Sequence, residues 1–350
     1  MNPSRLVQLN IWLCNNFDIN SIKLHSLTGD AGFRKYYRFN INNKSYIAVD
    51  AIPAMSNNLA FVEIQKVLQQ VINVPEIIFS DLELGFLCLS DFGDELFSDL
   101  LTLENMEYSY QTAIKLLPKI ANAQLPQNYS LPQYDANFVN VECHIFTEWL
   151  LGVHLNITLN EEEKAQLRSC FKVLVDNALE QPQVIMHRDY HSRNLMLINS
   201  EQEAADTTES EIALGVIDFQ DAVFGPITYD IVSLLRDCYV RWPDAKVKDL
   251  FYYFCQLIDV DNKYPDVTQE QWLRWFDLMG MQRHVKASGI FARLYHRDHK
   301  NGYLKDIPLT LSYIVDISAK YPELSFIHDL VLHKVIPRLE NKVKSKDNHS

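Results

Sequence analysis

The stretch that decides the fold is Val184-Ile185-Met186-His187-Arg188-Asp189-Tyr190-His191-Ser192-Arg193-Asn194-Leu195-Met196-Leu197-Ile198. It carries His187-x-Asp189, then Asn194, and runs into an apolar, strand-like segment at Leu195–Ile198. A second such segment, Leu214–Phe219, has Asp218 at its end. Between them Asn199–Glu211 is acidic and polar with no apolar period, which predicts a solvated loop closing a hairpin. Antiparallel pairing brings Asn194, before the first strand, and Asp218, ending the second, to the same end of the ribbon. Asp189 stands one turn of loop away. An amide oxygen and a carboxylate converging there suit Mg²⁺, and Asp189 is free to accept a proton from a hydroxyl nucleophile. The plainer alternative is a surface turn in which Asp and Asn serve turn geometry and His187 packs. The following strand and the second strand ending in Asp make a chance match rare.

Upstream, Leu6, Leu9, Leu13 and Phe17 recur at helical spacing. Strands are expected at Ser21–His25, Tyr36–Ile41, Ser45–Asp50, Glu76–Asp81 and Phe86–Ser90, separated by turn formers such as Asn42-Asn43, with a helix over Asn58–Ile72. Asp91-Phe92-Gly93-Asp94 breaks the sheet, and helical patterns dominate from Glu95 onward. Asn160 with Glu163 reads as a capping box. The organisation expected is a small sheet lobe over residues 1–92 and a larger helical lobe over residues 93–350.

A chain of 350 residues exceeds what one core usually organises. With 32 basic against 45 acidic side chains and a net charge of −13, a broad basic surface for nucleic acid is excluded. The six cysteines are scattered, with no CxxC pair, which points to reduced thiols in a cytoplasm. No apolar run reaches membrane-spanning length, and Gln8, Asn10 and Asn15 interrupt any signal-peptide core. A cytoplasmic protein without membrane contact is expected.

His187-x-Asp189-x-x-x-x-Asn194 with Asp218-Phe219-Gln220 resembles the aminoglycoside phosphotransferase and choline-kinase branch of the protein-kinase-like fold. Gly225-Pro226-x-x-Tyr229-Asp230 matches that family's helix after the metal loop. The resemblance tightens over Gly29-Asp30-Ala31-Gly32-Phe33-Arg34-Lys35-Tyr36-Tyr37-Arg38, Arg283-His284-x-Lys286, Gly289-Ile290-Phe291-x-Arg293-Leu294 and Arg297-Asp298. These segments are similar to the anomeric kinases of N-acetylmuramate and N-acetylglucosamine in peptidoglycan recycling. The likeness implies a two-lobed α+β fold, with a nucleotide-binding lobe and hinge over 1–92 and a catalytic, substrate-binding lobe over 93–350. It implies ATP and Mg²⁺ as cofactors, transfer of the γ-phosphate to the C1 hydroxyl of an amino sugar, and a monomer. Asp189 would be the base, Asn194 and Asp218 would hold the metal, and Asp91 would stand in the hinge that meets adenine.

Three features complicate the likeness. Protein kinases end the third strand with a phosphate-gripping lysine; here Val49 is followed by Asp50. Arg34, Lys35 and Arg38 follow the Gly29–Gly32 turn, and either one of them supplies the missing charge or all three are exposed strand cations. Arg283, Lys286, Arg293 and Arg297 share one helix face, as a cradle for an anionic substrate such as a lactyl carboxylate or as a solvated, salt-bridged surface. Glu142 and Glu148-Trp149 are further sugar-pocket candidates, with Trp149 weighing towards the core. Two other readings stay open: a kinase of the same fold acting on an aminoglycoside, choline or homoserine, and a nucleotide-binding pseudokinase suggested by Asp50.

Overall fold

The computed structural model describes residues 4–27, 33–198 and 212–347; Gly29, Gly32 and the expected loop 199–211 lie outside them. The chain forms two compact units, residues 1–130 with 187–222, and residues 131–186 with 223–350. These units do not follow the sequence break at Phe92, because the hairpin carrying Asn194 and Asp218 is grouped with the N-terminal sheet.

The first unit is built on an antiparallel sheet of β1 (His25–Ser26), β2 (Lys35–Ile41), β3 (Lys44–Asp50), β4 (Ile77–Asp81) and β5 (Phe86–Ser90), in the order β1-β2-β3-β5-β4. Asn42 and Asn43, at φ 51° and 63°, make the two-residue turn that sets Ile41 opposite Lys44. Both residues must be left-handed for the turn to match strand twist, which is why Asn occupies the pair. The helix Arg5–Phe17 starts on the Ser4 hydroxyl and buries Leu9 and Leu13 against Phe39, Ala48, Phe86 and Cys88. Phe17 closes the packing against Phe39, Tyr46 and Phe79 at 5.0–5.8 Å between ring centres. The helix Asn58–Leu68 ends short of the expected Ile72, its last amides tightening onto Val67 and Leu68.

β7 (Leu195–Leu197) and β8 (Leu214–Val216) form the anticipated antiparallel hairpin, with Leu195 opposite Val216. β8 is shorter than the run Leu214–Phe219 because Asp218 turns left-handed, at φ 64°.

The second unit is helical apart from one antiparallel pair, β6 (Gln183–Met186) and β9 (Val223–Pro226), which alternation alone did not signal. Asn160 and Glu163 form the expected capping box at the start of the helix Glu161–Glu180. The 30-residue helix Gln269–Asp298 packs on the π-helical segment Phe146–His154. Their approach is so close that a Cβ at Gly289 would lie 2.5 Å from the Ile145 carbonyl oxygen, so only glycine fits.

Candidate active site

His187 is fully buried and ties the site's two strands of chain together. Its Nε2 lies 3.1 Å from the Ile217 carbonyl and its Nδ1 accepts from the Asp189 amide at 3.3 Å. A carbonyl can only accept and an amide N–H can only donate, so the ring is the neutral Nε2–H tautomer. Burial pushes its pKa down to about 4, against the opposing pull of the Asp189 charge. Arg188, at φ 75°, is left-handed and donates to the Asp221 carbonyl at 3.3 Å. The loop that presents Asp189 is therefore held by a buried imidazole on one side and by a strained turn on the other.

The Ile217 amide bonds the Asn194 carbonyl at 3.0 Å, extending the hairpin by one rung. The Asn194 side-chain Nδ2 donates to the Asp189 carbonyl at 2.9 Å and stands 3.5 Å from Asp218 Oδ2. With the nitrogen so committed, the amide oxygen is the atom left for a cation. Gln220 Nε2 donates to Asp218 Oδ1 at 2.7 Å, fixing that carboxylate from its other side. Although Asp218 reaches the surface, partial desolvation by the protein around its carboxyl raises its pKa and the Asp189 charge adds to it, while the Gln220 bond opposes them. Among the described residues no group of three or more His, Cys, Asp and Glu is disposed to hold a metal. One carboxylate and one amide oxygen fit Mg²⁺ nonetheless, since that ion completes its shell with water and phosphate oxygens.

Other residues of the first unit surround this centre. The Phe61 ring lies 4.9 Å from that of Phe219, the neighbour of Asp218. The Arg34 guanidinium stands 5.6 Å over Phe61. The Tyr36 hydroxyl is pushed up to about 12 by burial; Arg34 pulls it down, while Asp218 and Asp221 push it further up. Arg38 takes a different part: it bonds both Asp91 oxygens at 2.6 and 3.1 Å, Asp94 at 2.6 and 2.7 Å, and the Gly93 carbonyl at 2.9 Å. Ser45 adds a 2.6 Å bond to Asp91. Burial alone would raise the Asp91 pKa, but Arg38, Ser45 and the Gly93 amide hold it below the usual carboxylate value. The following segment is stitched to the hairpin by Leu197 N–H to the Glu95 carbonyl at 2.9 Å. The Phe92 ring fills the space where a Cβ on Gly215 would sit, at 2.4 Å.

At the end of β3, Asp50 is buried and paired to Arg5 of the first helix at 2.6 Å. Arg5 also donates to the Leu84 carbonyl at 2.7 Å and lies 4.7 Å over Phe86. Lys35 sits opposite Asp50 in the β2–β3 register and is exposed. Sequence reasoning missed this pairing, the Arg38 clamp and the Gln220 bond. Each joins residues far apart in the chain or exchanges one polar side chain for another, and leaves no periodic signal.

The model of the phosphotransferase enzyme family matches residues 23–255, the span that holds every residue of this centre except Arg5. The chain belongs to the phosphotransferase enzyme family. It is similar to the N-acetylmuramate/N-acetylglucosamine kinase of Pseudomonas putida, with 36% identity over 338 residues, 93% of this chain and 96% of that protein. The fold is shared with the ethanolamine kinase of Plasmodium vivax, at a TM-score of 0.63 and 13% identity over 88% of this chain and 86% of the other. An ADP-bound aminoglycoside phosphotransferase, APH(2'')-Ib, superposes at a TM-score of 0.56 with 14% identity, covering 89% and 98% of the two chains. This phosphotransferase has the protein-kinase-like α+β architecture, and it is an enzyme that transfers phosphoryl groups to a hydroxyl acceptor. Among the described residues, no helix is long and apolar enough to cross a membrane.

The second unit of this phosphotransferase holds the substrate candidates. Glu142 is buried and bonded to Tyr134 at 2.6 Å, Gln282 at 2.9 Å and Lys286 at 2.7 Å. Lys286 also meets the Tyr229 hydroxyl at 3.1 Å. Arg283 is buried, donates to Ser233 at 2.6 Å and lies 5.2 Å over the Tyr229 ring. These two cations are therefore neither a solvated face nor a row of surface salt bridges; they belong to an interior polar network. Arg297 pairs with Asp298 at 2.9 Å on the surface. Glu148 is exposed and Trp149 half-buried, both in the π-helical segment. Arg293 is half-buried with its Nε shielded from solvent and without a hydrogen-bond partner. Burial and the Arg297 charge lower its pKa, and Asp298 and Glu148 oppose them.

Proposed function

We propose that the chain is an ATP-dependent kinase that phosphorylates the C1 hydroxyl of N-acetylmuramate or N-acetylglucosamine in the cytoplasm. The reaction class is supported by Asn194, whose side chain bonds the Asp189 carbonyl and approaches the Asp218 carboxylate, bringing the three residues together. The substrate class rests on 36% identity to an N-acetylmuramate/N-acetylglucosamine kinase along nearly the whole of both chains.

In this reading Asp189 accepts the proton of the sugar hydroxyl as its oxygen attacks the γ-phosphorus, and the bond to the ADP oxygen breaks in line. His187 and the Asn194 amide hold the Asp189 main chain from two directions, so the carboxylate meets the hydroxyl without reorganising. Asn194 and Asp218 would hold Mg²⁺, which neutralises charge on the nucleotide's phosphate oxygens when bound. Gln220 fixes one oxygen of Asp218 and leaves the other for that ion. The Arg38 clamp sets the main chain around Asp91, where the adenine would be read. Asp50 no longer argues for a pseudokinase: its pairing with Arg5 gives the position a structural occupation, independent of whether phosphates bind.

The test is phosphorus NMR of the purified chain with Mg²⁺-ATP and, separately, N-acetylmuramate, N-acetylglucosamine, kanamycin and choline, with Asp189→Asn as control. The expected product is an anomeric phosphate from one or both amino sugars, with turnover in the control lower by at least about 10²-fold and ATP affinity retained. Transfer only to kanamycin or choline would overturn the substrate, and wild-type turnover in Asp189→Asn would overturn the base.

A further inference from the structure

The cations on or beside the β2–β3 hairpin include Arg5, Arg34, Lys35, Arg38 and Lys44, the last at the turn end of β3 and over the Tyr46 ring. Arg5 is engaged with the buried Asp50 and the Leu84 carbonyl. Arg38 directs its guanidinium donors at Asp91, Gly93 and Asp94. Lys35 points to solvent at the edge of the β2–β3 register. Arg34 is different. Among the described residues its one hydrogen bond is a long 3.3 Å contact from Nη2 to the Asn57 carbonyl, and its Nε is shielded from solvent with no hydrogen-bond partner there.

The position of Arg34 gives that unused donor a direction. The guanidinium rests on Phe61, whose ring packs on Phe219, and Phe219 follows Asp218 in the chain. Arg34, Asp218 and Asp221 all lie near enough to act electrostatically on the Tyr36 hydroxyl, which agrees with the Phe61–Phe219 contact in placing the cation close to the acidic centre. A half-buried guanidinium whose Nε is shielded and whose remaining N–H groups stay accessible, beside a site for a phosphorylated ligand, has the chemistry of a phosphate receptor, because its planar fork matches phosphate oxygens.

We propose that Arg34 is the cation that binds the nucleotide's terminal phosphates, in place of a lysine at the end of β3. This rests on the kinase reading above and deepens it. The strand-end position has been given over to docking the first helix, through Asp50 and Arg5, and the charge needed by the phosphates comes instead from the segment leading into β2.

Isothermal titration of adenosine, ADP and ATP, in Mg²⁺, against the parent chain, Arg34→Gln and Arg34→Lys separates this role from a general effect on the fold. In Arg34→Gln adenosine affinity stays within about twofold, while ATP binds about 10- to 100-fold more weakly, as expected for loss of a charged hydrogen-bonding partner. Arg34→Lys restores part of that loss. An ATP affinity within about twofold of the parent in Arg34→Gln, or an equal loss for adenosine and ATP, overturns the proposal. A parent chain that binds none of the three overturns it together with the kinase reading. Graded losses in a chain that phosphorylates no amino sugar would support Arg34 and sink only the substrate.

Discussion

Replacing His187 by Asn separates the two hydrogen bonds that hold the catalytic loop. Asn can still accept from the amide two residues on, as His187 Nδ1 does from Asp189, but it is too short to donate to the Ile217 carbonyl now bonded at 3.1 Å. That carbonyl then loses its partner in a partly buried position, at a cost of about 1 kcal/mol near pH 7. The pH dependence is more diagnostic. In the unfolded chain the imidazole takes up a proton below its ordinary 6.5, in the fold only below about 4. Across that window the unfolded state binds more protons, so His187 contributes stability that is complete above pH 6.5 and is lost as pH falls towards 4. At pH 5 the loss from this one group is about 2 kcal/mol. Urea unfolding of both proteins at pH 7 and pH 5 measures it: the wild type's drop between the two pH values should exceed the variant's by about 2 kcal/mol. Turnover at pH 7 should fall at least about tenfold with little change in KM for ATP, because Asp189 loses its link through His187 to the segment leading to Asp218. An equal acid-induced drop in both proteins would refute the neutral, bridging imidazole.

Two further substitutions probe other parts of the molecule. Arg293→Gln should raise KM for N-acetylmuramate by about tenfold or more and leave that for N-acetylglucosamine within about threefold, if the shielded guanidinium receives the lactyl carboxylate; equal effects in steady-state kinetics would remove that role. Arg5→Met leaves the buried Asp50 carboxylate without its cation and should cost about 2 kcal/mol in urea unfolding, reduced from the value for a fully buried pair because Arg5 is one-third exposed. A change below about 0.5 kcal/mol would mean that water replaces the guanidinium freely.

The hairpin carrying Asn194 and Asp218 was legible because its pairing depends only on local order. Asn194 precedes one apolar run and Asp218 closes another, and strand pairing converts that order into proximity, here 3.5 Å between side chains. The Asn42-Asn43 turn and the Asn160 capping box were readable for the same reason, each being settled within four residues. Nothing comparable marks Arg38 and Asp91, which are 53 residues apart. Their partnership depends on β2 lying two strands from β5, which the sequence order of the strands does not reveal. What covers the stripe Arg283–Arg297 was not legible for a related reason. Helical spacing places residues on a face but does not say whether solvent or Glu142 and Ser233 cover it.

Asp91-Phe92-Gly93 carries the sharpest lesson about motifs. Its three letters spell the metal-binding signature of protein kinases, yet every chemical group of the first residue is already engaged. Arg38 and Ser45 bond its carboxylate, and that carboxylate in turn accepts from the Gly93 amide at 2.9 Å. A side chain whose charge is compensated and whose oxygens are filled has nothing to offer a cation. Asp218 is the converse case: one oxygen is held by Gln220, partial desolvation and Asp189 raise its pKa, and its left-handed backbone turns it out of the ladder. A positioned carboxylate with an oxygen not held by a cation is what the proposed metal role would use. The same criterion distinguishes Arg34 from Arg38, two residues of equal charge only four positions apart, of which one is saturated and the other keeps a donor in reserve.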